Sequence, residues 1–218
     1  MKDNINIFCF HGKPCAGKDS QAEVLAAQYE RSVKISTGEI FRGAKNNEGE
    51  FAKYYETLKE DIEVVNSGGL IRDEVIVGIV GEVIKDYISK DKSVFIFTGF
   101  PRTIPQINEF NKMLTDLNNT FNVKEKHILL DISDKIAIER SQTRRNKDIL
   151  KNRTPRKEDE PISFSNRLKF FDGLTYPMIK QIKESGKLIT FDGSKLINEV
   201  SIEMLSSLGI LRSNKEIR

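Results

Sequence analysis

Residues 12–18 read Gly12-Lys13-Pro14-Cys15-Ala16-Gly17-Lys18, and what flanks this stretch decides the fold. Before it, Ile5 to Phe10 is apolar enough for a short buried strand. After it, from Lys18 to Tyr29, Ala22, Leu25, Ala26 and Tyr29 recur at helical spacing. A strand, a glycine-rich loop and a helix in that order make GxxxxGK a phosphate cradle rather than an ordinary turn. The glycines let the backbone fold tightly around an anion, successive N–H groups point inward, and the helix start adds a favourable dipole. Lys18 supplies the point charge for β and γ phosphates. Asp19 stands where the pattern carries Ser or Thr, and the first hydroxyl is Ser20. An acid beside phosphates is repulsive unless it faces Mg²⁺ or its water shell, so Asp19, with Ser20, is expected to orient magnesium-bound water. The alternative is that Asp19 points away and caps the helix.

Further short β signals follow at 33–35, 94–97, 128–131 and 188–191, with a helical pattern between each pair. Five strands alternating with helices predict a parallel sheet covered on both faces. Between the second and third strands, 51–65 and 72–88 read as helical; Val75, Ile76, Ile79, Val80, Val83 and Ile84 form a core-facing stripe on the latter. Asp73 and Glu74 are placed to cap that helix. Residues 144–160, RRNKDILKNRTPRKEDE, are dense in charge and broken by Pro155, which predicts an exposed, mobile excursion. A helical pattern resumes through Leu168, Phe171 and Leu174 to about Lys183, and the tail 212–218 is expected to fray.

Composition narrows the function classes. The 218 residues are 31% charged and 38% hydrophobic, with a net charge of +3. That is too weak a positive balance to argue for nucleic acid, and no apolar run approaches the ~20 residues that span a bilayer. The start MKDNINIFCF lacks the features of a secretory signal, so a cytoplasmic location is expected, without a membrane or nucleic-acid partner. With only Cys9 and Cys15, no disulfide framework or four-cysteine zinc site can be built. His11 precedes the loop and could touch a phosphate or merely support the turn; His127, beside a strand, receives no role.

Further motifs sharpen the picture. Ser36-Thr37-Gly38-Glu39 with Arg42 resembles the STGDxxR stretch of adenylate kinases, and Gly99-Phe100-Pro101-Arg102-Thr103 with Gln106 resembles their GFPRTxxQ. SGGLIRDEV at 67–75, Arg140 and Arg144, RKEDE and NRL around Arg156 and Arg167, and DGSK at 192–195 continue the match in order over nearly the whole chain. The resemblance implies a three-layer α/β/α fold of the P-loop NTPase type: a five-stranded parallel sheet, a helical acceptor-binding insert at 36–72 and a short lid at 141–160. The core would then comprise 1–35, 73–140 and 161–211.

By the same resemblance the reaction is reversible transfer of the terminal phosphoryl group of ATP to AMP, with Mg²⁺ and without zinc, by a monomer. Lys18, Arg102, Arg144, Arg156 and Arg167 would be catalytic. ATP would lie on Gly12, Pro14, Cys15, Ala16, Gly17, Lys18, Asp19, Ser20, Arg140, Arg144 and Lys195. AMP would lie on Thr37, Gly38, Arg42, Gly69, Leu70, Ile71, Gly99, Phe100, Arg102, Gln106, Arg156 and Arg167. Transfer between two nucleotides crowds negative charge together, which is why forked guanidinium donors suit it. Thr98 departs from the family, which has Asp before GFPR. A pyrimidine acceptor, a nucleotide-binding regulator with little catalysis and an RNA-binding module using the basic lid are the competing functions.

Overall fold

Val94–Thr98 is buried at every position, as a strand covered on both faces must be. The computed structural model describes residues 2–211, and the predicted frayed tail lies outside them. All five predicted strands are present: β1 (Asn4–His11), β2 (Ser32–Ser36), β3 (Val94–Thr98), β4 (Asn122–Asp131) and β5 (Leu188–Asp192). They form one parallel sheet in the order β2-β3-β1-β4-β5. Phe10 is level with Thr98 on one side and Ile128 on the other, and Ser36 with Thr98, so the C-terminal strand ends share one edge. Chain direction across the sheet reverses beside β1, and such a reversal opens a crevice at that edge.

The helices are α1 (Lys18–Ala26), α2 (Thr37–Asn46), α3 (Tyr55–Leu58), α4 (Ile62–Asn66), α5 (Asp73–Ser89), α6 (Ile104–Thr120), α7 (Asp134–Leu150), α8 (Pro161–Phe170), α9 (Tyr176–Glu184) and α10 (Ile197–Ser207). One face of the sheet packs on α5, α6 and α9 through Ile7, Cys9, Phe97, Ile79, Val83, Phe110 and Ile179. The other packs on α1 and α10 through Phe8, Phe10, Leu25, Ile128, Val200 and Met204. The apolar stripe on α5 is buried at Ile76, Ile79, Val80, Val83 and Ile84, with Val75 only partly covered.

Three expectations need correction. Residues 51–65 do not make one helix; they break into 3₁₀ turns at Gly49–Tyr54 and Lys59–Asp61 around the short α3, before α4. Asp61 turns inward there and accepts from the Arg72 amide at 3.0 Å and its guanidinium at 3.2 Å, which bends the chain back. Residues 144–160 are not a wholly exposed excursion, because α7 carries helix to Leu150 and Asp159 is buried. Asp73 makes no side-chain cap for α5; its carboxylate instead accepts from Thr103 Oγ1 and Gln106 Nε2, at 2.9 and 2.8 Å. The helical pattern after 161 is interrupted by a π turn at Phe171–Thr175, where Pro177 has no N–H for the Gly173 carbonyl.

Candidate active site

The loop between β1 and α1 is shaped by contacts its sequence alone does not reveal. Gly12 adopts φ 139°, and a Cβ there would lie 2.4 Å from the Leu130 carbonyl oxygen of β4. Only glycine lets the loop pass so close to the neighbouring strand. Gly17, left-handed at φ 96°, sets the start of α1. Pro14, Cys15, Lys18 and Asp19 face the cleft at the C-terminal sheet edge. Ala16 packs into the core, and Ser20 lies on α1 outside the cleft lining.

Lys18 Nζ donates to the carbonyls of Gly12 and Lys13, both at 2.8 Å. Burial, and then the neighbouring Arg102, push its ammonium down to about 7. Arg102 is half-buried and held down to about 10 by desolvation and by Arg167, while its Nε donates to Gly99 O at 2.7 Å. Arg42 is lowered by burial and by Arg156. These are cations brought together with too few anions, the electrostatic form of an anion site.

Arg42, Arg102, Arg144, Arg156 and Arg167 all line the same cleft as Lys18. They arrive from α2, the turn after β3, α7, the segment before α8, and α8. Thr37, Gly38, Gly69, Leu70, Ile71, Gly99 and Gln106 line it as well. Thr37 Oγ1 donates to Gly99 O at 2.9 Å; Gln106 accepts from the Arg102 amide at 2.7 Å while donating to Asp73. Gly99, at φ 79°, leaves no room for a Cβ between Thr37 Oγ1 and the Arg102 guanidinium.

Phe100, Arg140 and Lys195 also stand apart from that lining. Phe100 is fully buried, edge-on to Phe110 with centroids 5.2 Å apart, so its ring anchors the turn carrying Arg102. Arg140 bridges the carbonyls of Cys15 and Ser194 at 3.4 and 3.3 Å, and Lys195 pairs with Glu203 at 2.6 Å.

The two departures in sequence turn out to be one contact. Thr98 Oγ1 donates to Asp19 Oδ1 at 2.7 Å. Burial opposes ionisation of Asp19, but the Thr98 hydroxyl with Lys18, Lys34 and Arg42 around it holds the carboxyl below its usual range. Sequence reasoning missed Asp159 and Glu158. Asp159 accepts from Arg144 at 2.5 Å and Arg167 at 3.2 Å, and Glu158 lies 3.6 Å from Arg42 across the cleft. The available signal was the run of three acids, Glu158 to Glu160, that closes an otherwise basic stretch.

Comparison with known proteins agrees with this geometry. A family model for adenylate kinase matches residues 10–187. An adenylate kinase of Nitrobacter winogradskyi is 31% identical over 190 residues, covering 87% of this chain and 86% of that protein. One from Parvibaculum lavamentivorans is 32% identical over 91% of this chain and 90% of its own length, and one from Caldicellulosiruptor bescii is 31% identical over 91% and 97%.

Proposed function

The chain belongs to the adenylate kinase family, whose reaction is transfer of a phosphoryl group between ATP and AMP, and we propose how its cleft performs that transfer. ATP lies with its phosphates on the loop of residues 12–18, and AMP binds against the insert at 36–72. Arg42 and Arg102 hold the acceptor phosphate, and Arg144, Arg156 and Arg167 gather on the donor phosphates and the group in flight. One observation supports this assignment above all: six cations from six separate segments of the chain line a single cleft.

The chemistry asks little beyond charge and placement. An acceptor phosphate oxygen is already anionic at neutral pH, so no side chain need act as a general base. The protein must hold two polyanions end to end and spread the charge of the transferring group over fixed guanidinium donors. Arg102 lines the cleft together with Lys18 and Arg167, where the two phosphate chains would meet. The segment 141–160 acts as a lid that excludes water, carrying Arg144 and Arg156 with it.

Mg²⁺ fits the residues present. The Asp19 carboxylate, held below its usual range and hydrogen-bonded to the Thr98 hydroxyl at 2.7 Å, suits an ion that keeps its waters. Asp19, with Thr98 behind it, would hold the ion's water shell, and the bound ion would neutralise donor phosphate charge. No helix among the described residues is long and apolar enough to cross a membrane. We place the protein in the cytoplasm, acting as a monomer, since one chain supplies the whole cleft and Cys9 and Cys15 are free thiols.

A coupled assay across AMP, UMP, CMP and GMP, with and without magnesium, tests the reading. AMP should be the preferred acceptor, by tenfold or more on the scale of ~1–3 kcal/mol per mismatched contact. Equal use of UMP would refute the acceptor assignment.

A further inference from the structure

The chain has two histidines, and they bond to each other. His11 closes β1 directly before Gly12. His127 lies on the adjacent β4, where it pairs with Cys9, while His11 pairs with Leu129. Alternation along the strands puts His11, His127 and Glu125 on one face of the sheet. The rings are 5.0 Å apart and inclined by 18°, with His11 Nε2 2.8 Å from His127 Nδ1. His127 Nε2 is 2.9 Å from Glu125 Oε1, and Glu125 Oε2 accepts from Lys187 Nζ at 2.5 Å. Both imidazoles are buried, the Glu125 side chain is 5% exposed and that of Lys187 is 47% exposed. A chain of hydrogen bonds therefore runs from solvent to the base of the phosphate loop.

Its neighbours on that face, Ile7, Cys9 and Leu129, are ordinary core residues. Apolar side chains would fill the histidine positions at lower cost, since buried polar groups stabilise only when every partner is supplied. With both rings neutral, the network allows one pair of tautomers. Glu125 accepts, so His127 carries its proton on Nε2; with one proton per ring, His127 Nδ1 accepts from His11 Nε2–H. Nδ1 of His11 is then the basic atom, and it can take a proton without breaking any bond in the chain.

The surrounding charges decide whether it does. Lys18 from α1, Arg102 from the turn after β3 and Arg167 from α8 share a small cavity with His11; Glu125 of β4 and Lys187, just before β5, stand behind His127. Burial first, with the Lys18 ammonium among its neighbours, keeps His11 well below the ordinary histidine range. Phosphates in the loop would offset those cations and favour the charged ring.

We propose that His11 is a further donor-phosphate residue: occupancy of the loop draws a proton from solvent onto its Nδ1, and His127, Glu125 and Lys187 are positioning residues that hold and polarise the ring. The inference rests on ATP occupying the loop. The step is a simple protonation, in which the Nδ1 lone pair forms the new N–H bond. Because the complex holds the extra proton, ATP binds more tightly at acidic pH, and the gain is lost as pH rises through the bound-state midpoint.

With only two imidazoles, histidine-nitrogen NMR of the full chain resolves both rings, and His127→Gln assigns them. Titration with and without magnesium-saturated ATP should raise the His11 midpoint by about one unit, which corresponds to about tenfold tighter binding at the acidic end. Glu125→Gln should remove most of that rise. A His11 ring that stays neutral while ATP saturates the protein overturns the proposal. So does calorimetric proton uptake that persists undiminished in His11→Gln, since that proton would belong to Lys18. Failure of ATP to bind at all would instead overturn the donor-site reading, and this inference with it.

Discussion

The phosphate loop and the stretch from Arg144 to Arg167 both bring cations to the cleft, yet they satisfy those cations in opposite ways. Among the described residues Lys18 makes no ion pair; its ammonium rests on two carbonyls of its own loop and is pushed down to about 7. Arg144 and Arg167 share Asp159, and Arg42 faces Glu158. The loop is thus preorganised, its backbone held by β1, β4 and α1 and its charge left for a ligand to satisfy. The second region supplies its own counterions, which incoming phosphates must replace. Charge that waits for a ligand favours binding directly, whereas charge already paired favours order in the empty state.

Removing the loop's cation should break that contrast most severely. Lys18→Ala is expected to lower kcat/KM with ATP by at least about a hundredfold in the coupled assay, the loss typical of one transition-state charge contact. Arg102→Lys keeps the charge and removes the fork, and should still cost on the order of tenfold or more in kcat, since one ammonium cannot replace two parallel donors. Asp19→Gly should raise the magnesium concentration for half-maximal turnover by about tenfold, with Asp19→Gly/Thr98→Asp restoring part of it, if the carboxylate serves the ion's water shell from either side of the contact. On the paired side, Asp159→Asn should cost about 1–3 kcal/mol by chemical denaturation, because it strips the charge shared by Arg144 and Arg167. Loss of the same size in Lys18→Ala, or none in Asp159→Asn, would erase the distinction between the two regions.

Legibility followed sequence distance. The strand, loop and helix around residues 12–18 could be read directly, because apolar periodicity and glycine spacing are signals carried by neighbouring residues. The stripe on α5 was equally plain from its periodicity. The broken helices at 49–66 were not, since the bend depends on Asp61 meeting Arg72, eleven residues away. Arg144 and Arg167 read as cations of the site, but Asp159 as their shared partner did not. Nor did the histidine chain: His11 and His127 are 116 positions apart, and each alone is one polar residue in an otherwise apolar stretch.

Sequence by itself settled the order of strands and helices, the glycine-rich anion loop and the motifs that identify the family, all of which are encoded by residue type at short spacing. Only the tertiary structure decided which charges meet. It joined Asp19 to Thr98 across two strand ends, closed Asp159 between two helices and linked His11 to solvent through Glu125. The physical reason is that parallel strands return to one edge after long crossovers, so neighbours at the site are remote along the chain.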